Sequence, residues 1–285
     1  MKGKRILIAG CGYVGGRVAP LLDEAGARVH VLRRSPSAST PGAEVVCADL
    51  GVPKSLMELP QPLDGVVFSA GPSSPDEQAY RDIFVDGLRN LIEALTRQEQ
   101  PPSRLVFTSS TAVYGQSDGS WIDESSPTRP RRFNGSVLLE AESLLRNSSV
   151  PGCALRLGGI YGPGRAGRIA RIRERRARLS PGPPHYTNRI HREDAARALI
   201  HLMMLDRVDP IYLGVDGNPV SENDLLSFLA GELGLPEPRM AGSAPPRRAG
   251  SKRCRNDRLV ESGYRFVFPS YREGYGALLG SEESC

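Results

Sequence analysis

The sequence predicts an α/β fold built on a doubly wound parallel sheet, and three features carry this prediction. Short apolar segments alternate with longer amphipathic segments through the first half of the chain. A glycine-rich turn directly follows the first apolar segment. With 285 residues, 39% of them hydrophobic, the chain can bury one large core and a smaller C-terminal lobe. Strands that alternate with helices pair in parallel through right-handed crossovers.

The alternation assigns the elements of the first half in chain order. Strands are predicted at residues 6–9, 29–32, 45–47, 66–69 and 105–108, and helices at residues 14–25, 55–59 and 76–97. In the last of these helices Phe84, Leu88 and Leu91 repeat at helical spacing. Such a repeat is typical of a helix that packs one face on a sheet.

The second half continues the pattern less regularly. Helices are predicted at residues 135–146, 193–205, 221–233 and 270–279, strands at 154–157 and 211–214, and a surface loop at 234–250. Ser221 is the predicted N-cap of its helix. We expect a core at residues 1–155 and a substrate lobe at residues 156–285, with core elements interleaved at about 186–214.

The composition argues against several classes of protein. The five cysteines are far apart without a C-x-x-C pair, and the four histidines lack metal-ligand spacing. We therefore expect neither a metal site nor disulfides, and a cytoplasmic location, because the cytoplasm is reducing. No apolar run approaches the roughly 20 residues that span a bilayer. No secretory signal precedes the first predicted strand.

The net charge of +5 comes from arginine, since only four of the 37 basic residues are lysine. A basic chain can bind nucleic acid. However, no aromatic side chain interleaves the basic run at residues 165–178, as binding of single strands would require. This argues against a nucleic-acid partner. The run instead suits an anionic small-molecule substrate, and the alternative is a solvated surface or the interface of a homodimer.

The glycine-rich turn, Gly10-Cys11-Gly12-Tyr13-Val14-Gly15-Gly16, lies between the first predicted strand and the first predicted helix. Gly10 permits the tight turn, and Gly12 lets the backbone approach a pyrophosphate at the helix N-terminus. Gly15 or Gly16 lets the helix pack closely on the strand. With Tyr13 and Val14 these glycines predict a dinucleotide site of the Rossmann type, so residues 1–155 are expected to bind the cofactor.

The end of the second predicted strand indicates which dinucleotide binds. Folds that bind NAD usually place an acidic residue here, where it accepts hydrogen bonds from the ribose 2′-hydroxyl. This strand instead ends in Leu32-Arg33-Arg34-Ser35. The guanidinium groups of Arg33 and Arg34, with the hydroxyl of Ser35, suit a 2′-phosphate. We predict NADP as the cofactor, with NAD as the alternative if the arginines are only a solvated pair.

Two further segments are predicted to contact the cofactor. Asp49 follows the third strand and could accept from the adenine amino group. Ser69, Ala70 and Gly71 end the fourth strand, where a loop of small residues would lie under the cofactor. Both segments lie at carboxyl ends of strands, where ligands of doubly wound sheets collect.

Several motifs, in one order along the chain, resemble extended short-chain dehydrogenases/reductases of the nucleotide-sugar epimerase and dehydratase type, particularly their atypical members. Besides the glycine turn and residues 69–71, the motifs lie at residues 108–115, 156–164, 188–194 and 251–256. The resemblance implies nicotinamide-dependent chemistry on a nucleotide-sugar-like substrate. It also implies that Ser110, with Thr111 beside it, assists catalysis.

The main acid–base group of that family is a tyrosine whose pKa is lowered by a lysine four residues later. Aligned on Glu142, this chain has Asn134 at the tyrosine position and Leu138 at the lysine position. No other alignment restores the pair, because the lysines lie only at positions 2, 4, 54 and 252. A tyrosine without a nearby cation has a pKa of about 10 and is a poor base at neutral pH.

Other side chains could carry the proton in place of that pair. Tyr114 and Tyr161 follow predicted strand ends, and Tyr161 has Arg165 four residues later. His191 has an ordinary pKa that suits proton transfer. The alternatives are a packing role for Tyr161 and a structural role for His191 beside Asp194.

Three hypotheses about function remain open. The first is an NADP-dependent oxidoreductase or epimerase-like enzyme acting on a small carbonyl, alcohol or nucleotide-sugar-like substrate. Ser110 or Thr111 would polarise its carbonyl, and a tyrosine or His191 would move the proton. The second is a non-redox isomerase, cyclase or lyase on the same fold. The third is a non-catalytic regulator that binds NADP(H), since a fold alone does not determine chemistry.

Overall fold

Short strands alternate with helices from the first residues onward in this computed structural model, which describes residues 1–35, 40–244 and 250–282. Within these residues the strands are β1 (Arg5–Ala9), β2 (Arg28–Arg33), β3 (Glu44–Cys47), β4 (Gly65–Phe68), β5 (Leu105–Ser110), β6 (Trp121–Ile122), β7 (Gly152–Leu157), β8 (Gly159–Tyr161), β9 (Tyr186–Thr187), β10 (Arg189–His191), β11 (Ile211–Gly214), β12 (Val220–Ser221) and β13 (Arg253–Cys254). The helices are α1 (Gly15–Glu24), α2 (Glu77–Arg81), α3 (Leu88–Thr96), α4 (Phe133–Arg146), α5 (Gly167–Arg173), α6 (Arg192–Met204), α7 (Glu222–Glu232), α8 (Asp257–Glu261) and α9 (Tyr271–Glu282).

Seven of the strands form one sheet in the order β11-β7-β5-β4-β1-β2-β3. The pairs β1–β2, β1–β4, β2–β3 and β4–β5 are parallel. From β1 the chain builds the sheet outward through β2 and β3, then returns to build the other side through β4 and β5. The predicted doubly wound parallel sheet is therefore confirmed. Its direction reverses between β1 and β4, and ligands of open α/β sheets bind at the carboxyl ends of the strands at such a point.

The two central strands are apolar except for Arg5, the first residue of β1. Ile6, Leu7 and Ile8 of β1 are at most 1% exposed, as are Val67 and Phe68 of β4. Near-continuous apolar strands are typical of a parallel sheet that helices cover on both faces. Each of these side chains contributes about 1.5–3 kcal/mol through its burial.

The chain divides into two compact units. The first comprises Met1–Val113, Pro130–Arg156 and Ala195–Tyr212, and the second comprises Tyr114–Arg129, Leu157–Asp194 and Leu213–Cys285. The first unit contains β1 to β5 and the helices α1 to α4. The second has an apolar core of its own, in which Tyr161, Leu225 and Tyr275 are at most 2% exposed.

The helix predicted at residues 76–97 is interrupted. The structure has α2, then a π turn at Asp82–Gly87, then α3. Gly87 lies against Leu50, whose Cβ would be 3.1 Å from a Cβ added to the glycine. Apolar spacing does not distinguish a single π turn from an α-helix, because the wide turn is so short. The apolar pattern therefore could not predict the π turn.

The helix predicted at residues 55–59 is instead a 3₁₀ turn at Pro53–Leu56. Pro53 favours the start of a helical turn. Pro60 follows soon after and disfavours helical dihedrals in the residue before it. Too few residues remain between the prolines for a regular α-helix.

The predicted cap of α7 is confirmed, since Ser221 Oγ accepts a hydrogen bond from the Asp224 backbone N–H at 3.1 Å. Within the described ranges, no helix combines the length and apolar character that a membrane crossing requires.

Candidate functional site

A cleft of about 880 Å³ opens in the first unit. It lies where β1 to β4 end, next to the reversal in strand order. Nine of the twelve residues predicted to bind the cofactor line this cleft, and these are Gly10, Gly12, Arg33, Arg34, Ser35, Asp49, Ser69, Ala70 and Gly71. The fold therefore brings four separate loops together in one place.

The glycines of the first turn play different structural roles. Gly10 has a φ of +99°, and a Cβ there would lie 2.2 Å from the Ala70 backbone nitrogen. A Cβ on Gly15 would lie 2.0 Å from the Gly10 carbonyl oxygen, whereas one on Gly16 would make only ordinary contact. Gly15 is therefore the residue that lets α1 pack closely. A Cβ on Gly12 would meet nothing within 4 Å.

The other three predicted cofactor residues do not line the cleft. Gly15 packs against Gly10, and Val14 is only 7% exposed just before α1 begins. The Tyr13 hydroxyl is also buried. These residues fix the direction in which α1 leaves the turn, and the N-terminus of a helix of this length favours anions.

The end of β2 brings a guanidinium group to the cleft. Arg33 Nη2 donates a 2.9 Å hydrogen bond to Thr40 Oγ1, which lies 3.7 Å from Cys11 Sγ. Arg33 Nε is buried and has no hydrogen-bond partner within the part of the chain that the structure describes. Arg34 and Ser35 are exposed. The cleft thus has a cation where folds that bind NAD usually place a carboxylate.

Asp49 lies in a tight turn after β3. Its Oδ1 accepts a 2.8 Å hydrogen bond from the Gly51 backbone N–H, and its own backbone N–H donates to Ser55 Oγ at 2.9 Å. These bonds hold Asp49 at the wall of the cleft.

One wall of the cleft is formed by residues that the sequence did not predict as part of the site. Ala79 of α2 and Asp82, Ile83 and Asp86 of the π turn contribute to it. Their spacing places them on one side of a helical segment. The available signal was chain order, because a helix that follows the loop after β4 begins near the carboxyl end of that strand. Cys11 also lines the cleft.

The geometry of the cleft fits a nicotinamide dinucleotide. Gly12 leaves open the space that a side chain would fill in the turn before α1. Arg33 brings a half-buried guanidinium group to the wall of the cleft at the end of β2. A pyrophosphate at the start of α1 and an anionic ribose substituent at the end of β2 would use both features.

Ser110 and Thr111 lie at the end of β5 in the first unit, and both are half-buried. Ser110 Oγ accepts a 3.1 Å hydrogen bond from the Ala112 backbone N–H. The neighbouring Ser109 Oγ donates a 2.6 Å hydrogen bond to Glu142 Oε1 of α4. This bond fixes the end of β5 and with it the position of the two predicted catalytic hydroxyls.

The helix α4 carries the two positions that alignment assigns to the tyrosine and lysine. Leu138 is 4% exposed and belongs to the buried face of α4. Asn134 is half-buried in the first turn of the helix. An amide and an alkyl group do not titrate, so neither side chain can act as a proton carrier.

Tyr161 is deeply buried in the second unit. Its ring stacks on that of Tyr275 with centroids 4.3 Å apart, and its hydroxyl has no hydrogen-bond partner in the described chain. Burial raises the pKa of Tyr161 well above its ordinary value. These features favour the packing interpretation of Tyr161.

The structure brings His191 close to Tyr161, with ring centroids 5.3 Å apart. The His191 ring also packs on Phe268 at 4.2 Å, and its Nδ1 accepts a 3.2 Å hydrogen bond from the Glu193 backbone N–H. Burial lowers the pKa of His191 to about 4, so the imidazole is neutral at pH 7. This environment favours a structural role for the ring.

Asp194 holds the start of α6 in place. It is fully buried, and its carboxylate accepts hydrogen bonds from the Tyr264 hydroxyl at 2.9 Å and from the backbone N–H groups of Val267 and Phe268 at 2.7 and 2.9 Å. These contacts are consistent with the structural alternative for His191, three residues earlier.

Tyr114 is 2% exposed and lies in the second unit. Its carbonyl oxygen accepts a 3.1 Å hydrogen bond from Lys252 Nζ. Lys252 is the only lysine after position 54 and is 4% exposed. The sequence motif at residues 251–256 was noted, but the position of this lysine beside Tyr114 was not expected, because the two residues are far apart in the chain.

A buried charged cluster in the second unit was also not expected. Asp216 is 1% exposed, and its backbone N–H donates a 2.6 Å hydrogen bond to the Arg189 carbonyl oxygen. Burial raises the pKa of the Asp216 carboxyl to about 7. Arg189 is 3% exposed and donates from Nη2 to Glu222 Oε2 at 3.1 Å. Arg168 donates to both oxygens of the same glutamate, at 2.9 and 3.2 Å.

Among the described residues, no group of three or more histidine, cysteine, aspartate or glutamate side chains could hold a metal ion.

Comparison with known proteins identifies the family. Residues 6–211 match the model described as the NAD dependent epimerase/dehydratase family. Protein YeeZ of Escherichia coli K12 is 28% identical over 93% of this chain and 97% of its own length. A solved structure from Methylobacillus flagellatus, provisionally assigned to NAD-dependent epimerases/dehydratases, is 36% identical. It covers 98% of this chain and 99% of that chain, with a TM-score of 0.81.

One relative carries a specific activity in its name. UDP-glucose 4-epimerase of Streptomyces lividans is 31% identical over 51% of this chain and 47% of its own length. The family match, which spans most of the chain from β1 to the start of β11, agrees with the doubly wound sheet and with the glycine turn at its centre. The chain therefore belongs to the NAD-dependent epimerase/dehydratase family, an extended branch of the short-chain dehydrogenases/reductases.

Proposed function

We propose that this protein is an NADP-dependent oxidoreductase or epimerase-like enzyme that works without the tyrosine–lysine pair of its relatives. Its substrate is a small carbonyl, alcohol or nucleotide-sugar-like compound. One observation carries the choice of cofactor: Arg33, a half-buried cation, lines the cleft at the end of β2. An NAD site would have a carboxylate there.

The chemistry of the cofactor sets the reaction class. A bound nicotinamide accepts or donates hydride, so an alcohol and a carbonyl are the two states of the reacting group. In this proposal Ser110 polarises the carbonyl oxygen, with Thr111 as the neighbouring hydroxyl. The bond from Ser109 to Glu142 supports the role, because it holds the end of β5 against α4.

Three side chains in the second unit are candidates for proton transfer: Tyr114, Tyr161 and His191. Burial raises the pKa of Tyr161 and lowers the pKa of His191 to about 4, so neither group suits proton transfer at neutral pH. We propose Tyr114, the remaining candidate, whose backbone carbonyl oxygen accepts a hydrogen bond from Lys252 Nζ.

The proposed substrate is anionic. The segment around α5 carries an excess of arginine, and Arg171, Arg175 and Arg176 are exposed in the second unit. Exposed guanidinium groups attract carboxylates and phosphates. The family relation to UDP-glucose 4-epimerase agrees with a phosphorylated substrate. We further propose that the protein acts in the cytoplasm and does not bind nucleic acid, with a homodimer interface as the alternative role of the arginine-rich segment.

A second candidate function is a non-redox isomerase, cyclase or lyase, or a non-catalytic regulator that binds NADP(H). One observation favours it: in α4 a buried Leu138 stands at the position of the lysine in the family's tyrosine–lysine pair. An NADP-binding fold that has lost its proton relay can keep its cofactor as a structural element.

Hydride transfer separates the two candidates. The purified protein is incubated with NADPH, and separately with NADP, against a panel of carbonyls, alcohols and UDP-sugars. The absorbance of reduced nicotinamide follows net oxidation or reduction, and chromatography follows conversion of each UDP-sugar to its epimer, because an epimerase regenerates its cofactor and leaves the absorbance unchanged. The first candidate predicts turnover that Ser110→Ala lowers by about 100-fold or more, with NADPH affinity retained. Tight NADPH binding with neither a redox reaction nor epimerisation of any substrate would reject it in favour of the second candidate.

A further inference from the structure

We propose that Thr40 is a specificity-determining residue that positions Arg33 for the 2′-phosphate of the cofactor. The inference rests on the proposed function, because it explains how the predicted phosphate clamp is held. Thr40 belongs neither to the glycine turn nor to the end of β2. It contacts both of these parts of the predicted dinucleotide site, through Cys11 and Arg33.

The first step is the state of the Arg33 side chain. The group is half-buried, and its only hydrogen bond within the described ranges runs from Nη2 to Thr40 Oγ1 at 2.9 Å. Nε is buried without a partner in the same part of the chain. One nitrogen therefore anchors the guanidinium of a residue that lines the cleft at the end of β2. An arginine with a single anchor in the protein is oriented by that anchor.

The second step is the rigidity of Thr40. It is 8% exposed, and its carbonyl oxygen accepts a 3.1 Å hydrogen bond from the Ala43 backbone N–H. The residues between them are Pro41 and Gly42, and Gly42 has a φ of +72°. Proline followed by glycine with positive φ is the signature of a type II turn. This turn leads directly into β3.

The same turn is held from outside by α1. A Cβ on Gly42 would lie 2.3 Å from Asp23 Oδ2, so the turn packs directly on the Asp23 side chain. The strand β3 that follows pairs with β2, with Cys47 opposite Arg33. Thr40 is therefore fixed relative to the strand that carries the arginine.

The third step is the contact with the glycine turn. Thr40 Oγ1 lies 3.7 Å from Cys11 Sγ, and either atom could donate. A hydroxyl that accepts from Arg33 still has a proton to donate to a thiol sulfur. The chain of contacts Arg33–Thr40–Cys11 links the predicted phosphate clamp to the turn that approaches the pyrophosphate.

The consequence is an arginine ordered before the cofactor binds. Arginine has many rotamers, and ordering them on binding weakens affinity. A fixed hydroxyl acceptor reduces that loss for the phosphorylated dinucleotide alone, because NAD has no 2′-phosphate for Arg33 to bind. Thr40 should therefore affect the ratio of NADPH to NADH affinity and leave NADH affinity unchanged.

The test compares Thr40→Val, which keeps the shape and removes the hydroxyl, with Thr40→Ser, which keeps the hydroxyl. Dissociation constants are measured calorimetrically for NADPH and NADH, and for the fragments 2′,5′-ADP and 5′-AMP. Arg33→Ala is measured in the same series. We expect Thr40→Val to weaken NADPH and 2′,5′-ADP about tenfold, with NADH and 5′-AMP within about twofold of the wild type. Thr40→Ser should behave as the wild type.

The outcomes separate this inference from the proposed function. If Arg33→Ala removes the preference for NADPH but Thr40→Val does not, Thr40 has no positioning role and the phosphate clamp stands. If Arg33→Ala leaves the preference intact, the clamp itself is wrong and the inference falls with it. Equal loss of NADPH and NADH binding in Thr40→Val would show a purely structural residue and would also overturn the inference. Should that variant fold poorly, Thr40→Ala is measured in its place, with NADH binding as the check on folding.

Discussion

Ser109 Oγ donates a 2.6 Å hydrogen bond to Glu142 Oε1, and both side chains are at most 5% exposed. Arg156 donates to both oxygens of the same carboxylate, from Nε at 2.9 Å and from Nη2 at 2.6 Å. The network joins β5, α4 and β7 within the first unit. A buried charge pair of this kind adds little by itself, but the loss of one partner leaves the other charge uncompensated.

Glu142→Ala should therefore lower the free energy of unfolding by about 3–5 kcal/mol, because the buried Arg156 loses its ion pair with this carboxylate. Glu140→Ala on the same helix is the matched control. Glu140 pairs with Arg81 at 3.0 Å, but both side chains are at least 40% exposed. Exposed pairs contribute at most about 1 kcal/mol. Urea denaturation measures both variants, and similar losses would contradict the assigned role of the buried network.

Gly12 and Gly15 should respond differently to substitution by alanine. A Cβ on Gly12 meets no atom within 4 Å, so Gly12→Ala should leave the thermal stability of the cofactor-free protein unchanged. It should weaken NADPH binding by about tenfold or more, because the methyl group fills the space that the pyrophosphate needs. A Cβ on Gly15 lies 2.0 Å from a backbone oxygen, so Gly15→Ala should lower stability directly. Differential scanning fluorimetry with and without NADPH distinguishes the two, and normal NADPH affinity in Gly12→Ala would place the cofactor elsewhere.

Tyr161→Phe should leave stability unchanged or raise it by about 1 kcal/mol, because the change removes a buried hydroxyl that has no partner in the described chain. Tyr264 offers the control. Its hydroxyl donates a 2.9 Å hydrogen bond to Asp194 Oδ1, so Tyr264→Phe should lower stability by about 1.5–3 kcal/mol. Chemical denaturation of both variants checks the difference. A large loss of turnover in Tyr161→Phe, with stability intact, would instead support a catalytic role for that hydroxyl.

Asp216 should make stability depend on pH between about 4 and 7. Burial raises the pKa of its carboxyl from 3.8 to about 7, so the folded state holds this proton in a range where the unfolded state has lost it. The free energy of unfolding should then fall as pH rises through that range, by at most about 1.4 kcal/mol per pH unit. Arg189 lowers the pKa of Asp216, and Asp194 and Glu273 raise it.

His191 acts in the opposite direction in the same range. Its folded pKa of about 4 lies below the ordinary 6.5, so its contribution is lost as pH falls from 6.5 to 4. The effect of Asp216 is therefore measured as the difference in free energy of unfolding between Asp216→Asn and the wild type at each pH. The advantage of Asp216→Asn over the wild type should grow from pH 4.5 to pH 7, and parallel stability profiles would show that Asp216 titrates normally.

The sequence was sufficient for the sheet and for most of the cofactor cleft. The glycine turn, the end of β2 and the loop after β4 are each defined by residues that are neighbours in the chain, and residues 6–9 and 65–68 form apolar runs in β1 and β4. Chain order and the rule for parallel sheets then bring these loops together. Local patterns of this kind can be read without knowledge of tertiary contacts.

The remaining features depend on contacts between distant residues. The bond from Arg33 to Thr40 crosses from the end of β2 to a turn before β3, and no local pattern indicates it. Lys252 meets the carbonyl of Tyr114 across 138 positions. The deep burial of Tyr161 follows from the packing of α9 and could not be read from its place after a predicted strand. Tertiary packing decides these positions.

The account depends most directly on the role of Arg33, and the ratio of dissociation constants for NADH and NADPH measures that role. The wild type is titrated with each cofactor at the same ionic strength, alongside Arg33→Ala and the exposed neighbour Arg34→Ala. We predict that the wild type binds NADPH at least about tenfold more tightly than NADH, and that Arg33→Ala removes this preference while NADH affinity stays unchanged. Tighter binding of NADH by the wild type, or equal losses for both cofactors in Arg33→Ala, would contradict the account.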